Sequence, residues 1–525
     1  MRPRVLLLAI LFLALPVQGQ VGTPGMQSVL AADSPATSTV FVAQQSPADA
    51  LRALLSSGAL PLAQMGTERA ALLTRFYAAR SYAPLWIDIT GLSPKGEALL
   101  ARLRQVAAAG QTSLSPLLIE AAKQVRSTGS QSLAEGELLL SASLVGAAVD
   151  PNDPAEATER PQVLNEVANA DDPVPMLQDL LPANPAFWRL RDAIRGYRGI
   201  AAKGGWPRVP PGPKLELGVM EPRVALLRQR LRVTGDLGES GTPPDSFDGA
   251  VDAAVRRFQS RHGLQIDGIV GANTLAALNL SVAERLATLD VNLRRLQQQH
   301  REWAERFLVV NTAAATYRLV DRGQQIFERA AIVGRRGWPT PQLDSVIDRI
   351  EFNPFWVVPP RIARLEVLPR IQREPDYMLR NGMHWVNGQI RQDPGPKNPL
   401  GKVKFLFFNP YSVYLHDTNS PALFERSDRF LSHGCMRVAG ALDLAGYLLK
   451  GDPLWPPERI QEAVLSGQTV QARLATPIAL HVVYDTAWVD DAGVVNFRAD
   501  VYGRDGYAGA PVAEAASDRH QGCAA

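Results

Sequence analysis

Apolar residues set two rhythms along the chain. From Ala48 to about Ile200 they recur at helical spacing, first as Leu51, Leu54 and Leu55, later as Leu99, Leu100, Leu103 and Val106, with Pro/Asp-rich breaks such as 150–154. This stretch reads as a helical scaffold without a catalytic constellation. Residues 203–214 form a stiff, proline-rich linker. Beyond it Val224, Leu227 and Leu231 mark one helix face, and Val251, Ala254, Val255 and Phe258 a second. Asn273-Thr274 is expected to cap a short third helix ending near Leu278. From Phe307 the pattern turns to strands. Residues 307–310, 317–320 and 326–333 are β-rich, with a hairpin turn at Asp321-Arg322-Gly323. Segments 404–408 and 413–416 continue the series, 443–449 reads as a helix, and 479–484 and 494–502 are expected to flank a late hairpin turn at 490–493. The fold class is therefore multi-domain, with a β-dominated α+β part behind a helical scaffold and a three-helix module.

Composition narrows the classes. The 525 residues carry 55 Lys+Arg against 52 Asp+Glu, 46% hydrophobic and 20% charged residues. That is too apolar for a disordered chain, and a net +3 gives no field for a polyanion, so nucleic acid is not the expected partner. At about 150 residues per domain the length suggests about three domains. Arg2 and Arg4 precede an apolar run from Val5 to Leu15, then Pro16 and small residues, which is the layout of a cleavable export signal. An uncleaved anchor is the alternative, although the run is shorter than the ~20 residues a spanning helix needs. Two cysteines, Cys435 and Cys523, cannot staple a fold of this size. In an exported chain an unpaired cysteine needs a reason to exist.

Tyr414-Leu415-His416-Asp417-Thr418 and Ser432-His433-Gly434-Cys435-Met436-Arg437 supply that reason. A thiol attacks as thiolate and needs a base or a positive field, and an acyl transfer needs donors for the oxyanion. His416, nineteen residues before Cys435, is the candidate base, and Gly434 lets backbone approach a substrate closely. A buried structural thiol is the bland alternative.

Two resemblances follow from these residues. Val255-Arg256-Arg257-Phe258-Gln259, His262-Gly263-Leu264, Asp267-Gly268 to Gly271, Thr274 and Leu278 resemble a three-helix peptidoglycan-binding module, which implies a cell-wall ligand unless the bundle is only a spacer. His416, fifteen residues, then Ser-His-Gly-Cys-Met-Arg resembles the signature of YkuD-like L,D-transpeptidases. Further similarity to the large members lies in Phe76-Tyr77 with 82–86, Val333-Gly334 with Thr340-Pro341, Asn353-Pro354 with 356–359, and 394–401. The resemblance implies Cys435 as nucleophile and His416 as base. Backbone amides around His433, Gly434 and Cys435 would form the oxyanion site, helped by Tyr414. Ser432 and His433 would shape the loop, and Arg437 would hold a substrate carboxylate unless it is a structural ion pair. Trp356, Tyr377 and Trp385 would meet the substrate from a lid that also holds His384. Asp417 is not expected to orient His416. Implied chemistry is release of D-Ala from a tetrapeptide stem through a thioester, then attack by a second stem's diaminopimelate amine to give a 3→3 cross-link, with susceptibility to carbapenems. No cofactor or metal is called for.

The expected organisation is a signal over 1–20, a flexible segment 21–45, a scaffold 46–202, the linker 203–214, the binding module 215–282 and a connecting helix 283–304. A catalytic domain 305–475 with a lid at about 360–395, a hairpin 476–508 and a tail 509–525 complete it. Peptidoglycan stem peptides are the expected partners, in the periplasm against the wall. A hydrolase on the same fold and a wall-binding scaffold without catalysis stay open. A metal peptidase is disfavoured, because the seven histidines are scattered and no HExxH occurs. Both cysteines are expected unpaired, since a 435–523 bridge would block the nucleophile.

Overall fold

The structure, a computed structural model, describes residues 45–57, 66–109, 114–127, 129–149, 154–239, 243–298 and 304–506. The export signal, most of the flexible segment, the tail and Cys523 lie outside the described residues. No helix among the described residues is long and apolar enough to cross a membrane.

The scaffold packs its helices around α1 (Ser130–Ala148), whose length is apolar almost all round and buried accordingly. One charged residue sits in that core. Glu137 is fully buried, and its two carboxylate oxygens take the backbone N–H groups of Leu85 at 2.6 Å, Trp86 at 2.8 Å and Ile87 at 3.1 Å, with the Tyr77 hydroxyl at 2.6 Å. Burial pushes its pKa up to about 7, while these donors oppose the rise. The 82–86 segment singled out in the sequence is thus pinned to α1 by one side chain.

Helix α2 (Pro185–Ala202) leads to the linker, which does not swing free. Val209 is buried in the module core, and its N–H and C=O pair with the Asn279 side-chain amide. The module comprises α3 (Pro222–Val233), α4 (Gly249–Arg261) and α5 (Ala272–Leu278), with the expected stripes buried. The expected cap of α5 is corrected. Gly271 occupies the N-cap without a side-chain bond, and Thr274 lies buried inside the helix, where its hydroxyl accepts from Gln259.

Helix α6 (Val282–Gln298) brings the chain to the β part. Nine strands form one sheet: β1 (Arg306–Asn311), β2 (Thr316–Asp321), β3 (Gln324–Gly334), β4 (Leu343–Phe352), β5 (Val403–Phe407), β6 (Leu415–His416), β7 (Phe430–Ser432), β8 (Met436–Val438) and β9 (Val470–Val483). Their order is β7-β3-β8-β6-β5-β4-β9-β1-β2, and β2 also pairs with β3, so the sheet closes on itself and leaves only β7 outside the ring. Closure removes edges. Its interior holds the main β core, with helix Ala441–Leu448 packed against it.

The late hairpin differs from expectation. Residues 479–483 belong to β9, which pairs in parallel with β1 and runs across the expected boundary at 475. The hairpin is instead Ala487–Val489 with Val495–Phe497 around the predicted turn. Those strands are short because Ala487, Val489 and Phe497 share a small core with Leu190, Ile194 and Tyr197 of α2 and Leu289 of α6. Tertiary burial, rather than strand pattern, decided their length.

Replacing Glu137 by Ala would leave several buried donors without an acceptor. We expect a loss of about 3 kcal/mol or more, read as a lower thermal unfolding midpoint of the full chain.

Candidate active site

Strand register assembles the site. Leu415 pairs in parallel with Met436, and His416 with Arg437; the Met436 N–H donates to the Tyr414 carbonyl at 3.1 Å. Side chains alternate along a strand, so Tyr414, His416, Cys435 and Arg437 fall on one face of this pair. Diagonal neighbours at this spacing lie within about 7–8 Å, within reach of a ring and a thiol. Lys404 on β5 pairs with His416 and joins the same face, with its ammonium 4.2 Å from the centre of the Tyr414 ring. Lys404 carried no motif of its own, because its place beside His416 depends on the antiparallel register across the loop at 408–414. Cys435 is in no disulfide. Cys435, His416 and Tyr414 are 3%, 4% and 5% exposed.

Polar bonds shape the loop at 432–435. Gly434 has φ +115, a conformation that favours glycine, although a Cβ there would meet nothing closer than 3.8 Å. Its N–H donates to Ser432 Oγ at 3.1 Å, and Ser432 Oγ donates to the Cys435 carbonyl at 2.6 Å. Thr340 Oγ1 accepts the Gly334 N–H at 2.9 Å and donates to the Gly434 carbonyl at 2.9 Å. The Gly434 amide is thereby committed to Ser432 and is not available as an oxyanion donor in this arrangement.

Charge around His416 is one-sided. Burial, then Arg437 and Lys404, push its pKa down to about 3, while backbone groups of Asp417 and Leu400 pull the other way. Nδ1 is buried without an aligned hydrogen-bond partner among the described residues. Asp417 does not serve the ring: its Oδ2 accepts the Lys402 N–H at 2.8 Å and fixes the turn at Gly401.

His433 points to the lid instead. The lid is a three-stranded sheet of Trp356–Val357, Gln389–Gln392 and Met383–Val386 with short helices over 360–380 and a small core of its own. His433 Nε2 lies 2.7 Å from Glu366 Oε1 and 2.9 Å from Arg335 Nη2, and its ring meets Trp338 edge-on at 4.9 Å. With the proton on Nε2 the ring donates to Glu366, and Arg335, 3.3 Å from Glu366, acts on the carboxylate. Burial pushes the His433 pKa below its usual range, against the pull of Glu366. Glu366 was not visible in the sequence as part of the site, since only folding brings it to the loop. Trp356 packs between the barrel and lid cores, and Tyr377 in the lid core. Trp385 is 57% exposed on the outer lid strand. His384 pairs with Asp393 at 2.8 Å.

Comparison with known proteins bears on this geometry. Residues 305–455 match the YkuD model, described as "L,D-transpeptidase catalytic domain"; 71–194 match "Scaffold domain", and 220–278 match "Putative peptidoglycan binding domain". A curated relative from Haemophilus influenzae, "Putative L,D-transpeptidase", is 28% identical over 246 residues, covering 43% of this chain and 49% of the relative. The chain thus spans about half the length of that relative. Among solved structures, an L,D-transpeptidase from Stackebrandtia nassauensis is similar at 15% identity, 53% of this chain, 97% of that one and a TM-score of 0.23. An L,D-transpeptidase from Mycobacterium smegmatis is similar at 13% identity, 34% of this chain, 58% of that one and a TM-score of 0.20. The YkuD match spans both motif strands, the lid and the nucleophile loop, so this chain carries a YkuD-family L,D-transpeptidase catalytic domain, preceded by the scaffold and peptidoglycan-binding domains.

Proposed function

We propose that the protein is an L,D-transpeptidase that forms 3→3 cross-links in peptidoglycan through a thioester on Cys435. The observation that carries this reading is the strand register that puts buried Cys435, His416 and Tyr414 on one face with half-buried Arg437. Neutral His416 takes the thiol proton as Cys435 Sγ attacks the carbonyl between the third stem residue and the terminal D-Ala. The C–N bond breaks, D-Ala leaves with the proton from His416, and the thioester remains. The amine of a second stem attacks it, gives its proton to His416, and the thiol is restored as the amide forms. Arg437 and Lys404 supply a positive field that favours the thiolate and the developing oxyanion. The Tyr414 hydroxyl and the Cys435 amide are the oxyanion donors of this reading, while Ser432, His433 and Gly434 hold the loop. Trp356, Tyr377 and Trp385 belong to the lid that receives the acceptor.

Depth of burial supports transfer over hydrolysis, since a covered thioester meets a seated amine before water. The substrate lies outside the cytoplasmic membrane, so the enzyme works in the periplasm against the wall. No cofactor takes part in this scheme.

Purified protein incubated with tetrapeptide muropeptides should release D-Ala and give dimers by mass spectrometry. D-Ala release without dimers would leave a hydrolase. Cys435→Ser should lower turnover at least about a thousandfold and abolish the covalent carbapenem adduct. Retained activity would remove Cys435 as the nucleophile, and a wild type with neither D-Ala release nor a carbapenem adduct would leave a binding scaffold.

Proton balance gives a second test. A base whose folded pKa lies near 3 stays neutral far below the usual 6.5, so acylation should hold its rate as pH falls through 6.5. Removing a nearby cation raises that pKa. Lys404→Met should therefore move the acid limb of the acylation rate to higher pH, and His416→Gln should slow acylation about 10²–10⁴-fold at every pH.

A further inference from the structure

Two rows of paired residues cross the sheet on the face of the site. Phe405, Ile350 and Ala472 pair across β5, β4 and β9 and belong to the barrel core. Their neighbours along each strand therefore point the other way. One such row runs Gln471, Glu351, Lys404, His416 and Arg437, each opposite the next. Its charges are matched, since Gln471 Nε2 donates to Glu351 Oε2 at 2.8 Å and Glu351 stands opposite Lys404. The second row is Arg473, Arg349 and Leu406. Carried on by the same register, it reaches Tyr414 and then Cys435.

Stability alone does not explain the second row. Arg473 and Arg349 stand directly opposite each other, and like charges in that place destabilise a sheet. Both are exposed. Arg349 Nε lies 3.3 Å from Oδ1 of the adjoining Asp348, and no hydrogen bond or ion pair engages Arg473 among the described residues. The pairing of β4 with β5 shifts just past Leu406, and that of β4 with β9 just past Arg473. Such shifts re-aim side chains and are over-represented beside active sites. Phe408, the first residue beyond β5, is 90% exposed, with its carbonyl held by Ser345 Oγ at 2.7 Å. Two guanidinium forks beside an apolar ledge, on a lane that ends at Cys435, suit a carboxylate on a peptide.

Strand spacing sets how far that carboxylate stands from Cys435. The order β8-β6-β5-β4-β9 puts Arg349 three strands from Cys435 and Arg473 four, or about 14 Å and about 19 Å. An extended arginine reaches about 7 Å, and a hydrogen bond adds about 3 Å. A carboxylate held by both forks therefore sits about 9 Å from Cys435 along the row. In a tetrapeptide stem, the carboxylate of the second, isoglutamyl residue is about seven bonds from the scissile carbonyl, or about 9 Å when extended. The carboxylate at the far end of the diaminopimelate side chain is about six bonds away, or about 8 Å. That of the terminal D-Ala, at about 4 Å, is too near for Arg473.

We propose that Arg349 and Arg473 form a carboxylate subsite for the donor stem, taking a carboxylate six or seven bonds from the scissile carbonyl and so setting which stems are accepted. The inference rests on the transpeptidase reading for the identity of the stem, and its test does not need turnover. Tetrapeptide stems with all carboxylates free, or with one of the three amidated in turn, are titrated by calorimetry into the full chain carrying Cys435→Ala. Adding Arg473→Gln should weaken binding of the free stem about tenfold. It should leave unchanged the affinity for the stem amidated at the carboxylate that the pair holds, and that stem tells the isoglutamyl source from the diaminopimelate one. Arg349→Gln should behave alike. Because a like-charge pair is removed, neither variant should lower the unfolding midpoint. No binding to the parent, the same affinity in all proteins, a loss common to every stem, or coupling to the D-Ala carboxylate overturns the subsite. D-Ala release from the free stem by wild type, measured separately, reports on the transpeptidase reading alone.

Discussion

The site depends on a polar brace under the loop that carries Cys435. Thr340 Oγ1 joins the end of β3 to the Gly434 carbonyl, and Ser432 Oγ joins the Gly434 amide to the Cys435 carbonyl. Both hydroxyls are buried, so each bond lost would strand a partner at a cost of about 1–3 kcal/mol. A loop holding glycine at φ +115 has little preference of its own for this path. The close approach that makes the brace possible is itself enforced: a Cβ on Gly334 would stand 2.0 Å from the Trp338 carbonyl. Barrel closure supplies the remaining constraint, because β8 lies between β3 and β6 and carries Cys435 to the register of Tyr414.

Electrostatics then sets the resting state. Two cations share a face with a buried imidazole, and the proton leaves the cheapest place to remove it, the ring. On the reading proposed above, a neutral base under a positive field is poised to accept a proton only as negative charge forms on sulfur or on the substrate oxygen, which is when stabilisation lowers the barrier.

Much of this was legible in the sequence. The histidine and cysteine motifs, the segment at Thr340 and the lid roots at Asn353 and Asn398 are local strings, and local strings survive without coordinates. Asn353 and Asn398 do clamp the roots, bonding carbonyls of 463, 464 and 468 and of 354 and 393. Lys404 and Glu366 were not legible, because the pairing register that sets Lys404 opposite His416 is not written in its own strand, and Glu366 reaches His433 across 67 residues that only lid docking closes. Thr274 misled for a related reason: it looks like a cap, and burial beside Gln259 gave it another task.

The lid holds by two unequal means, and the difference says how it opens. Its roots are buried amide clamps, with Asn353 and Asn398 each 1% exposed. Its far contact to the loop is the Glu366, His433 and Arg335 group, where the Glu366 and Arg335 side chains are 38% and 46% exposed. Ion pairs in that much solvent contribute about 0–1 kcal/mol, whereas a buried amide bond stranded on opening costs more. Cys435, 3% exposed, is reached from solvent only after an opening motion. The motion that costs least releases Glu366 from His433, turns about the Asn353 and Asn398 roots, and leaves the brace under Cys435 untouched.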